Sequence, residues 1–80
     1  MNDLPVIDLE ETAKNITKLR KDNNLSIKDL QEIFNFTSPV PIYNWQAGRA
    51  LPNIDNLVIL ASVFKVKIDD ILVIKKSGRE

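Results

Sequence analysis

"TSPVPIYNWQAGRALP", residues 37–52, decides how this chain folds. Ser38 reads as an N-cap and Pro39 as the first helical residue, where a fixed φ fits and a missing N–H costs nothing. Pro41 falls at the third helical position, still inside the first turn, whose N–H groups have no partner within a helix. The two prolines therefore stiffen the start of a short helix and do not break it. Ile42 and Trp45 stand three residues apart and share the face expected to be buried. Tyr43 falls on the other side, and Asn44 is expected to be exposed by its phase. Gly48 ends the helix, and Leu51-Pro52 opens a turn. The result is a short helix with a rigid, apolar tip and a polar second row.

Working outward, the same logic places four more helices. Asp8 is an N-cap for apolar residues at helical spacing, Leu9, Ala13, Ile16 and Leu19. Glu10 and Glu11 in its first turn and Arg20 and Lys21 in its last suit the helix dipole. Asn23-Asn24 ends it, since Asn tolerates a left-handed backbone. Ser26, with Asp29 three residues on, caps a second helix over Ile27 to Phe34. Leu30, Ile33 and Phe34 are expected on its buried face, Asn35 just past its end, and Phe36 packed in the turn. Downstream, Asn53 caps a fourth helix with Asp55 in its first turn and Leu57, Leu60, Ala61 and Phe64 facing inward. A short fifth helix is expected over Ile68 to Val73, begun by Asp69-Asp70. Residues 1–8 read as an N-terminal arm, 9–74 as the helical domain and 75–80 as a polar tail, with Lys75-Lys76 a charge pair at the helix end. The fold class is all-α, a bundle of five short helices.

Composition limits the chemistry. Eighty residues make one domain, too small for a deep cleft beside a core. There is no cysteine for a disulfide or thiol metal site, and no histidine to serve as general base. Only two glycines are present, too few for a phosphate-cradling loop. No enzyme activity, cofactor or metal is expected; Asp69-Asp70 are explained by their place at a helix start. The longest apolar run, Leu57 to Ala61, is too short for a membrane span, so a cytoplasmic protein without a membrane partner is expected. Formal charge is zero, so any attraction to a polyanion must come from arrangement. Lys14, Lys18, Lys21, Lys65 and Lys67 read as solvated surface.

Several pieces occur together and in order: Leu25-Ser26, Leu30 with Phe34, Ile42-x-x-Trp45, Gly48, Leu51-Pro52, Leu57 with Leu60-Ala61, and Ile68-Asp69-Asp70-Ile71-Leu72. From about Ile16 to Leu72 the chain resembles the Cro/C1-type helix-turn-helix domain, also called the Xre family. The resemblance implies a five-helix, lambda-repressor-like bundle. Its third helix, about 39–47, would lie in the major groove of double-stranded DNA while the second crosses the backbone. Carried over position by position, it implies base contacts from Ser38, Pro39, Val40, Tyr43 and Asn44. It implies phosphate contacts from Ser26, Ile27, Lys28, Arg49 and Asn53. A homodimer is expected in a bacterial or phage transcription regulator, a repressor or activator. Ile71, Val73 and Ile74 either help form that dimer or simply close the bundle.

The chain departs from the family pattern in three places. Ile27 stands where many relatives have Gln. Pro39-Val40-Pro41 stands where many have Gln, Arg, Ser or Thr, and bidentate base reading needs an amide or a guanidinium. Val40 can pack on a thymine methyl, while Asn44 can read adenine. Gln46 replaces an acid that relatives pair with the residue matching Arg20. Arg20 then keeps a neutral hydrogen bond, or its charge is free for phosphate. The apolar tip and zero net charge also fit a different class of function: a protein-interaction module on the same fold, antitoxin- or anti-repressor-like, with a protein partner and weak or no DNA binding.

Overall fold

The computed structural model describes residues 4–76, and it holds five helices and a two-stranded ribbon. Met1 to Asp3 of the expected arm and 77–80 of the expected tail lie outside the described residues. Helix α1 spans Leu9–Asp22, α2 Ile27–Phe34, α3 Val40–Gln46, α4 Ile54–Phe64 and α5 Ile68–Ile71. The caps form where short polar side chains precede each helix. The Asp8 carboxylate accepts from the Glu11 N–H at 3.0 Å, and the Asn53 amide oxygen accepts from the Asn56 N–H at 2.8 Å. Ser26 and Asp29 close a reciprocal capping box on α2, at 2.9 and 2.8 Å. Asn24, Asn35 and Lys65 take the left-handed conformation after α1, α2 and α4.

One core joins the helices. Ile16, Leu30, Ile42, Leu60 and Ile71 are fully buried, with Trp45, Leu57, Ala61 and Phe64 packed among them. Phe34 and Phe36 stack with ring centroids 5.0 Å apart, and Trp45 meets them edge-on at 5.4 and 6.0 Å. Aromatic pairs favour both arrangements, so this cluster fixes how α3 leaves α2.

Four expectations need correction. First, Pro5–Ile7 is a strand, β1, and pairs antiparallel with a second strand, β2, at Ile74–Lys76. Lys75 and Lys76 therefore sit on a ribbon, not at a helix end. The pairing is closed by Thr12, a fully buried polar residue whose hydroxyl accepts the Val73 N–H at 2.9 Å. Second, α5 stops at Ile71 and Val73 is already in the return to the ribbon. Third, Ile33 is 44% exposed, because eight residues of helix bury a narrow stripe built on Leu30 and Phe34. Fourth, α3 begins at Val40, with Pro39 in the cap position. The Ser38 hydroxyl still receives the Val40 N–H at 3.0 Å, since Pro41 has no N–H to offer it.

Candidate nucleic-acid interface

The surface is built on α2, the turn after it, α3 and the loop that leads into α4. Burying Ile42 and Trp45 leaves the opposite side of α3 outward. Val40 is 56% exposed and Tyr43 49%, three residues apart on that side, and Ala47 follows one turn later, also exposed. Ser38 and Pro39 are half-buried behind this tip. Asn44 is half-buried too, not exposed as its phase suggests, because the chain folds back over it after Gly48. Its Oδ1 accepts from Arg49 Nε at 3.2 Å.

Gly48 makes this return possible. Its φ is +75°, a conformation that costs an L-residue energy and glycine little. The turn rests on the start of α1: a Cβ at Gly48 would lie 3.8 Å from Ala13 Cβ and from the Leu9 carbonyl. That is ordinary contact, so the glycine is required by the backbone angle and not by space.

The five residues expected to meet phosphate are not equivalent. Lys28 and Arg49 are exposed cations, one at the start of α2 and one just after Gly48. Lys28 also lines a shallow groove with Gln31, Glu32, Asn35 and Phe36. Ser26 and Asn53 are exposed, but their side-chain oxygens are engaged as helix caps. Ile27 is half-buried and packs against the core, so only its backbone N–H at the first turn of α2 is available to an anion. The Ser26 backbone N–H, and then its hydroxyl, hold the Asp29 carboxyl below its ordinary range, which keeps a negative charge beside Lys28.

Arg20 takes the first of its two expected courses. Its Nε–H donates to Gln46 Oε1 at 2.8 Å and its Nη1–H to the Leu25 carbonyl at 2.7 Å. One half-buried guanidinium thus ties the end of α1 to the entry of α2 and the end of α3. It orients these elements relative to one another. Sequence reasoning missed Ala47 on the outer face, although it lies at helical spacing from Val40 and Tyr43. It also missed the joining of Asn44 to Arg49, for which the sequence carries no local signal.

The helix-turn-helix family model matches residues 16–71, from the middle of α1 to the end of α5. No curated protein and no solved structure is a match to the chain.

Proposed function

The chain belongs to the Cro/C1-type helix-turn-helix family of DNA-binding transcription regulators, and from that premise we propose a sequence-specific reader of double-stranded DNA. The observation that carries the reading is the outward face of α3, where Val40 and Tyr43 are exposed beside the half-buried Asn44, with exposed cations at the start of α2, Lys28, and just after α3, Arg49. In this reading α3 enters the major groove with Ser38, Pro39, Val40, Tyr43 and Asn44 against base edges. Lys28 and Arg49, with the Ser26 hydroxyl and the backbone at Ile27 and Asn53, hold phosphates and set the register. The protein acts as a homodimer in the cytoplasm of a bacterium or phage-infected cell, and catalyses nothing. Residues 9–74 form the reading unit, with the arm before it and the tail after it as accessories.

A second reading is favoured by one observation: the exposed residue at the tip of α3 is Val40, flanked by the half-buried Pro39 and Pro41, and none of the three has a hydrogen-bonding side chain. On a chain of zero net charge, such a tip suits a protein groove. Substitutions separate the two. If the chain reads DNA, Lys28→Ala and Arg49→Ala weaken duplex binding in an anisotropy titration. If it binds a protein, Val40→Asp abolishes capture of that partner and Arg49→Ala leaves it intact.

A further inference from the structure

Helix α4 is apolar on two opposite sides. Its inner face, Leu57, Leu60, Ala61 and Phe64, is buried in the core. Its outer face, followed at helical spacing, runs through Ile54, Asp55, Val58, Ile59, Ser62 and Lys65, all exposed. Ile54 is 76% exposed, Val58 53% and Ile59 38%. Helix α1 shows the ordinary arrangement for a surface helix: its outer residues Glu10, Glu11, Lys14, Lys18 and Lys21 are all charged. Three aliphatic side chains within two turns of α4 call for a cover that the described residues do not supply.

The two ends of this face carry opposite charges. Asp55 lies in the first turn and Lys65 just past the last, and among the described residues neither joins an ion pair. Consider two α4 helices packed antiparallel about a two-fold axis near Ile59. Val58 and Ile59 of both copies meet in the middle, and each Asp55 falls beside the partner's Lys65. One contact made twice thus covers the apolar strip and pairs its charges. We propose that a second copy of this chain covers α4 in this antiparallel manner. The inference rests on the homodimer of the reading above and gives it an interface. The ribbon is the rival apolar surface, with Val6, Ile7 and Ile74 exposed. Its strands carry Lys75 and Lys76 and no acid, so two copies would bring like charges together. Ile71 is fully buried and Val73 half-buried, and neither offers a free face. One helix of eleven residues is small against the roughly 20–30 residues a side of a standard interface. The dimer is therefore weak in free solution, with a dissociation constant on the order of micromolar or higher.

The test is sedimentation equilibrium of the whole chain without DNA, at low salt, from about 1 µM to about 1 mM. It is run on the unsubstituted chain and on Val58→Asp, Asp55→Lys and Lys65→Asp. All three positions are exposed, Asp tolerates the left-handed backbone at 65, and far-ultraviolet circular dichroism checks that helix content is kept. The mass of the unsubstituted chain should rise from one chain towards two, while Val58→Asp stays at one. Asp55→Lys and Lys65→Asp should each self-associate about tenfold more weakly, since two attractive pairs become repulsive. An equal mixture of these two variants should recover the association, because the mixed pair again sets opposite charges side by side. Misfolding of either variant could not produce that recovery. A mixture no stronger than its components overturns the inference, as does undiminished association of Val58→Asp. An unsubstituted chain that stays single throughout leaves the face to a different protein, and the inference fails. DNA reading is scored apart, by selection from a random duplex library. If a sequence is enriched and the chain stays single in solution, the DNA reading stands without this interface. If none is enriched and the mixture recovers, the interface stands and the DNA reading fails.

Discussion

Gly48 and Gln46 each serve the fold through a single property, a backbone angle in one and a neutral acceptor in the other. Gly48 takes a φ of +75°, and a Cβ there would make only ordinary contacts. Gly48→Ala should therefore cost about 1 kcal/mol, all of it backbone strain. Gly48→Asn should cost less despite its larger side chain, because Asn tolerates this conformation; equal losses in thermal unfolding would mean that crowding governs the site. Gln46 accepts from a half-buried guanidinium through a neutral amide. Gln46→Glu converts this to a charge-assisted bond and should add about 1 kcal/mol. Calorimetry should show a higher Tm, smaller at high salt. No rise would mean that the cost of desolvating the new carboxylate cancels the gain.

Among the elements, α2 and the β1–β2 ribbon depend on polar contacts of opposite range. The box that starts α2 is local, and the carboxyl of Asp29 is held below its ordinary value of 3.8 by the Ser26 N–H and then its hydroxyl. A depressed carboxylate stabilises the fold above its unfolded pKa and loses that contribution as pH falls through its folded one. The gap in Tm between the unsubstituted chain and Asp29→Ala should thus be full at neutral pH and close as the pH drops below 3.8. The ribbon depends on Thr12, sixty-one residues from its partner Val73. Thr12→Val leaves the Val73 N–H without its acceptor and should cost about 1–3 kcal/mol. Hydrogen exchange should show the loss first at Val73. This difference in range explains what was legible. Asp8, Ser26 and Asn53 announce their helices because a cap bonds within three residues. The ribbon did not announce itself, since three-residue strands carry no readable alternation and their pairing is set by the folded bundle. In the candidate site, helix phase sufficed to turn Val40 and Tyr43 outward. The setting of Asn44 depends on the path after Gly48, which spacing along a helix does not describe.

For the whole molecule, zero net charge means that attraction to DNA has to be local. Removing Lys28 or Arg49 should each reduce the dependence of log affinity on log salt by roughly one. The proposed homodimer has a geometric consequence as well: two copies of α3 should select half-sites about 34 Å apart, one turn of the duplex, or a multiple of it. Sedimentation on selected DNA should give two chains per site.

The central claim is that the outer face of α3 supplies specificity while its flanks supply affinity. It is tested most directly by the ratio of affinities for a selected duplex and its scrambled counterpart. That ratio is measured by anisotropy for the unsubstituted chain and for a variant carrying Val40→Ser, Tyr43→Ala and Asn44→Ala together. The account predicts that the ratio falls by at least about tenfold in the variant. Binding to the scrambled duplex and its salt dependence should be unchanged. An unchanged ratio, or no binding by the unsubstituted chain even at low salt, would contradict it.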